Sequence, residues 1–208
     1  MILPMDAGIS PGARAVYARD YSADSMAVPL LPKFFASSAR IGCAMAGRPI
    51  VFISSTLEDL KEHREQAGKA AEASGFAPSR MEYWSASGRP SLPECLKKVD
   101  EAEAVVVIVA HRYGWAPDDP SNPDAKSITW LECEHAWQSG KPVFAFLVDP
   151  KYNWPKELYE NYRLVEGDDL PERKFNLLRK EVKRNEKKLQ QFKQQLNRNL
   201  RRARRKSA

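Results

Sequence analysis

Cysteine and histidine are scarce in this chain, three of each among 208 residues, and that scarcity removes whole classes of chemistry. Cys43, Cys95 and Cys133 are an odd number with no metal-type spacing, which suits free thiols in a reducing compartment. With no local Cys/His cluster, no metal site is expected, zinc included. Long apolar runs are missing too: the longest, Ala104 to Ala110, is seven residues, far short of a bilayer span. The first residues lack a basic stretch followed by an apolar one, so no signal peptide is expected. The protein therefore reads as cytoplasmic, with no membrane partner. There is no G-x-x-x-x-G-K-[ST], no G-x-G-x-x-G and no G-x-S-x-G, so the phosphate loop, the dinucleotide fingerprint and the nucleophile elbow are excluded.

The net charge of +6 conceals a division. Residues 171–208 carry 15 Lys and Arg against 3 Glu, a charge of +12, while the rest of the chain carries −6. The basic pI belongs to the tail and says nothing about what the remainder binds.

Prolines at 4, 11, 29 and 32 interrupt residues 1–44, where neither helical nor strand period persists, so residues 1–47 are expected to be a poorly ordered segment. Met45 precedes the first strong strand, and one reading makes it the natural start, with the residues before it either an artefact of where the start was assigned or a dispensable leader. From Pro49 the pattern becomes regular. Ile50–Ile53 is an apolar run of the kind buried on both faces of a parallel sheet. Ser55 and Glu58 have the spacing of a capping box, predicting a helix whose apolar face includes Leu57, Leu60, Arg64, Ala67 and Ala71 and which Gly75 ends. A weaker strand is expected over 79–84. A second capping box, Ser91 with Glu94, starts a helix with Leu92, Cys95, Leu96 and Val99 on one face. Ala104–Ala110 is the third strand, Ile128–Ser139 a third helix ended by Gly140, and Val143–Val148 the fourth strand. Such alternation predicts right-handed βαβ units and a parallel sheet. The aromatic stretch Tyr152, Trp154, Tyr159 and Tyr162 is expected to cover a sheet edge.

Beyond Pro171, Phe175, Leu178, Val182, Asn185, Leu189, Phe192, Leu196 and Asn199 alternate spacings of three and four, and six of these eight are apolar. Two outcomes fit: a helix folded back on its own domain, or a coiled coil or stalk through which the chain could self-associate, with Asn185 setting register or oligomer state. The run Arg201–Lys206 could touch nucleic acid or anionic lipid by charge alone, but a basic end is ordinarily solvated and nucleic acid is not the expected partner.

In an open parallel sheet the ligand lies beyond the carboxyl ends of the strands. Those ends here are Ser54-Ser55-Thr56, Glu82 to Trp84, His111-Arg112-Tyr113-Gly114 and Asp149, with helix N-termini nearby that favour phosphate. A phosphoacceptor receiver is disfavoured, because the first strand ends in hydroxyls rather than carboxylates.

Val51-Phe52-Ile53-Ser54-Ser55-Thr56 with Asp59-Leu60, then Met81-Glu82, then Arg112-Tyr113-Gly114, then Ser127-x-Thr129-x-x-Glu132-x-x-x-Ala136 with Lys141-Pro142 together resemble the TIR-like family known as domain of unknown function 4062. The resemblance covers about residues 49–150. It implies a TIR-like, flavodoxin-like three-layer α/β sandwich over 48–165, with a parallel sheet of four or five strands, followed over 171–208 by a long basic helix. Members often form the N-terminal module of larger signal-transducing NTPases, including immune-type and antiphage proteins; this chain departs from that plan in carrying no NTPase, so the resemblance implies either a separate signalling partner or a chain that is one part of a larger system.

In related enzymes a glutamate on the helix after the third strand works on the ribose of NAD or a nucleoside, and the matching residue is Glu132. No cofactor is implied; NAD or a nucleotide would be substrate. Ser54, Ser55, Thr56, Glu82, Arg112, Tyr113, Gly114 and Ser127 would line the nucleotide pocket. Each has a plainer reading. Thr129 and Glu132 are spaced as a capping box, Glu134 is a rival carboxylate, and Tyr113-Gly114 can be a turn with an aromatic plug. Ser54 and Ser55 can be caps, Glu82 can pair with Arg80 or Arg112, and Trp130 can pack. An N-glycosidic hydrolase and a noncatalytic interaction module therefore both remain, with nucleic-acid binding a distant third.

Overall fold

The computed structural model describes residues 13–18, 47–80, 91–149 and 152–206. Three apolar runs form the centre of the sheet: β2 (Ile50–Ser55), β4 (Ala104–Val109) and β5 (Val143–Val148). With the short β3 (Ala77–Ser79) they make four parallel strands. Alternating with them are α1 (Lys61–Ala73), α2 (Leu92–Glu101) and α3 (Ile128–Gln138). The strand order β3-β2-β4-β5 gives the expected α/β sandwich of flavodoxin-like order.

The expectation of disorder before residue 47 fails at one place. Ala13–Ala18 forms an edge strand, β1, antiparallel to β5 with Ala13 opposite Val148 and Ala18 opposite Val143. Backbone pairing with the free edge of β5 holds it there, a bond that side-chain pattern does not encode. The rest of residues 1–46, Met45 included, and Glu82 with the latter part of the second strand lie outside the described residues; β3 itself begins earlier than expected.

Side chains of β2 alternate between the sheet's two faces. Phe52 joins Val105, Val107, Val109, Val143, Ala145 and Leu147 in the larger core, whereas Ile53 joins Leu60, Ile108 and Ala110 on the α1 side. The α1 side is completed by Tyr152, Trp154 and Tyr159, with Trp154 buried against the ends of β2, β4 and β5. These aromatics thus cover a face, not an edge. The segment runs through single turns at Lys156–Leu158 and Glu160–Tyr162 into α4 (Arg163–Glu166).

The last helix, α5 (Glu172–Lys206), is 35 residues long and folds back on its own domain. Val182, Asn185, Leu189, Phe192 and Leu196 are all buried, the last three in the larger core. Burying each such aliphatic or aromatic side chain contributes roughly 1.5–3 kcal/mol, enough to favour docking over an extended stalk. The heptad face is therefore spent on the sheet. No helix among the described residues is long and apolar enough to cross a membrane.

α3 lies beneath α5 and beside α2, and it is covered on several sides: Ile128, Thr129, Trp130, Glu132, Cys133 and Ala136 are buried. A helix enclosed in this way has no clean polar face, and one consequence is a carboxylate inside the protein.

Candidate functional site

Helices following β2 and β4 pass to opposite faces of the sheet, so the topological switch point lies between these two adjacent strands. Ser54 and Ser55 end β2 at that point, one on each face. Ser54 donates its hydroxyl hydrogen bond to Oε2 of Glu132 on α3. On the other face Arg64 of α1 donates to the hydroxyl and the carbonyl of Ser55, both at 2.9 Å. Ser54, Arg64 and Glu132 are 1, 3 and 2% exposed.

Burial drives the Glu132 carboxyl up to about 7, against the hydrogen bond from Ser54 and the charge of Arg64, which both favour its ionised form. Oε1 of Glu132 is buried with no hydrogen-bond partner among the described residues. The carboxyl group is thus anchored by one oxygen, keeps the other inside the protein without a partner among the described residues, and changes charge near neutral pH. A group of this kind can act as acid, base or charge stabiliser. The capping-box alternative for Glu132 does not hold: Ser127 is the N-cap of α3, and Glu132 reaches across to β2 instead.

The capping box expected at Ser55 and Glu58 also does not form. β2 continues through Ser55, and α1 starts only at Lys61 without a side-chain cap. Thr56 bonds Asp59, whose other oxygen accepts the backbone N–H of Arg112 at 3.3 Å. Burial raises the Asp59 carboxyl despite these bonds. Gly114 adopts φ +80°, and a β-carbon there would stand 2.7 Å from Cγ2 of Thr56. The loops after β2 and β4 are therefore interlocked, with the glycine as the close-approach point.

Arg112 and Tyr113 are occupied by the fold. The Arg112 guanidinium holds Glu58 at 2.6 Å, the carbonyl of Glu157 at 2.9 Å and Glu166 at 3.4 Å. The hydroxyl of Tyr113 donates to the carbonyl of Ala125 at 3.2 Å and accepts the N–H of Ser127 at 2.9 Å. Burial pushes this phenol up to about 12. Ser127 itself is 1% exposed, and its hydroxyl has no partner among the described residues.

The rival carboxylate, Glu134, faces α5. It binds Lys126 at 2.7 Å and shares the Trp130 indole N–H with Gln195. Trp130 packs as expected, stacked on Phe192 with centroids 5.3 Å apart.

One residue escaped the sequence reading altogether. Glu160, 3% exposed, accepts the N–H of Tyr113 at 2.9 Å through one oxygen. Through the other it accepts from Arg163 at 2.7 Å and Asn185 at 2.9 Å. Asn185, expected to set a coiled-coil register, instead holds this buried carboxylate. A relay results, from α5 through Asn185, Glu160 and Tyr113 to Ser127 at the start of the helix that carries Glu132. The only signal for Glu160 was its acidity within an aromatic stretch.

In comparison with protein families, the model described as a domain of unknown function (DUF4062) matches residues 50–206. It extends beyond the region of the sequence resemblance to take in α5, in keeping with that helix's place in the core. No curated protein and no solved structure matches the chain.

Proposed function

This chain belongs to the DUF4062 family of domains of unknown function, and on that premise we propose that it is a TIR-like signalling or defence effector module whose chemistry is cleavage of the N-glycosidic bond of NAD or a related nucleotide. The observation that carries this reading is Glu132: a buried carboxyl at the switch point, held through one oxygen by Ser54, with its second oxygen unpartnered among the described residues. Breaking the bond between ribose C1′ and the nicotinamide nitrogen leaves the bonding electron pair on nicotinamide and an oxocarbenium-like sugar. An ionised carboxylate beside that sugar stabilises it until water adds and gives up a proton. Ser54 orients the carboxylate.

Purified full-length protein is incubated with NAD over a range of protein concentrations, and nicotinamide release is compared for wild type and Glu132→Gln. Release by wild type and its loss in the variant is the expected result. Release unchanged in the variant would remove Glu132 from the chemistry.

A second reading, a noncatalytic interaction module, draws on the engagement of Arg112 and Tyr113. Both are engaged by partners within the fold, Arg112 through both terminal nitrogens and Tyr113 through its hydroxyl, as a scaffold requires and a substrate clamp does not. Under that reading no nicotinamide appears at any concentration, and the protein self-associates as concentration rises.

A further inference from the structure

The docking of α5 turns a basic tail into a fixed surface. Its apolar stripe faces the core, so the opposite side is held outward along a helix roughly 50 Å long. On that outer side Arg173, Lys180, Lys183, Arg184, Lys187 and Arg198 are exposed. None is ion-paired with an acidic side chain among the described residues. Between Lys187 and Arg198 the exposed face continues with Gln190, Gln191 and Gln194, neutral amides that donate hydrogen bonds. Glu186 stands at the margin, and Glu181 turns away to Arg163 at 2.9 Å. The helix then runs on through Arg201-Arg202-Ala203-Arg204-Arg205-Lys206.

We propose that this outer face of α5 binds the sugar–phosphate backbone of nucleic acid, without reading base sequence. Three features select that partner. Binding of a basic helix to a lipid surface draws on buried apolar area as well as charge, and here the apolar face is already buried under Trp130, Leu147 and their neighbours, which leaves charge alone. A protein partner needs aromatic or aliphatic anchors at its centre, and Leu177 is the one exposed large apolar residue of the described part of α5. What remains is a rod of positive charge and amide donors repeating at about one helical turn, the complement of a polymer that carries phosphates at regular spacing. The remainder of the chain, at −6, repels phosphate and confines the contact to this stripe.

The test is fluorescence anisotropy of full-length protein with a labelled DNA duplex of about 20 base pairs, a length of roughly 70 Å that spans the stripe. Two variants with the same change in net charge are compared: Lys180→Glu/Lys183→Glu/Lys187→Glu on α5, and Lys61→Glu/Lys97→Glu/Lys156→Glu at exposed positions elsewhere. Thermal unfolding establishes that both remain folded, and the single variant Lys183→Ala serves if either does not. Wild type is expected to bind with a log–log salt slope of about −4, as four or five phosphate contacts give. The α5 variant is expected to lose at least about tenfold more affinity than the control variant and to show a shallower slope. Equal weakening of both variants, absence of binding at low salt, or displacement of the duplex by polyglutamate or anionic vesicles as readily as by unlabelled duplex would overturn the proposal. NAD cleavage does not enter these readouts.

Discussion

Ser54 and Glu132 meet although 78 residues separate them, the hydroxyl at the end of β2 donating to the carboxylate in the second turn of α3. The contact joins the strand at the sheet's switch point to the helix that enters after the neighbouring strand. Its partners are both buried, so the surroundings of one carboxyl group govern stability and proposed chemistry together.

The first consequence is a pH dependence with a definite sign. The Glu132 carboxyl lies near 7 in the folded protein against an ordinary value of 4.5. Its contribution is fully present below the ordinary value and is lost as pH rises through about 7, where ionisation inside the protein costs about 3 kcal/mol relative to the unfolded chain. Glu132→Gln should therefore flatten the fall in Tm between pH 5 and pH 8 and unfold several degrees above wild type at pH 8. Thermal unfolding at the two pH values measures this; parallel curves for the two proteins would refute it.

Ser54→Ala removes the bond that favours the ionised form. The Glu132 transition should move to higher pH, and the protein should lose about 1 kcal/mol of stability. Titration of the carboxyl carbon by nuclear magnetic resonance reports the shift directly, and a transition left at its wild-type position would show that Ser54 does not tune the group.

Two glycines with positive φ separate backbone strain from steric contact. Gly140, at φ +69°, has nothing within 4 Å of an added β-carbon, whereas Gly114, at φ +80°, faces Thr56 at 2.7 Å. Gly140→Ala should cost about 1 kcal/mol and Gly114→Ala about 2–4 kcal/mol. Replacing Thr56 by Ser, which removes the offending methyl, should restore part of the larger loss. Chemical denaturation of the four proteins decides it, and equal costs at the two glycines would contradict the close approach.

Glu160→Ala leaves the Tyr113 N–H and the Asn185 amide without their acceptor inside the protein. The cost should reach about 3 kcal/mol or more, and hydrogen exchange should quicken together in the middle of α5 and at the start of α3. Exchange confined to the turn around residue 160 would show that the relay does not couple the two helices.

Much of this fold is written in local pattern. The apolar runs of β2, β4 and β5 and the box in which Ser91 and Glu94 cap each other across 3.4 and 2.7 Å are decided within a few residues. The buried stripe of α5 was equally legible, but a three–four repeat is the same whether it faces a partner helix or the chain's own sheet. β1 was not legible because its bonds are to the backbone of β5. Ser55 and Glu58 misled because a box motif competes with strand pairing, and pairing with Ile108 of β4 won. At the site, Ser54 and Glu132 could be named from sequence, but the occupation of Arg112 and Tyr113 by Glu58, Glu166 and the backbone could not. Those partners come from loops and turns distant in the chain.

The most direct test of the whole account is the pH profile of NAD cleavage, measured as kcat/KM for nicotinamide release by full-length wild type and Glu132→Gln. If Glu132 acts as the ionised carboxylate, activity should rise with pH through a single transition near 7 and the variant should stay at background throughout. A wild-type profile that is flat across this range, or a variant that cleaves at the wild-type rate, would contradict it.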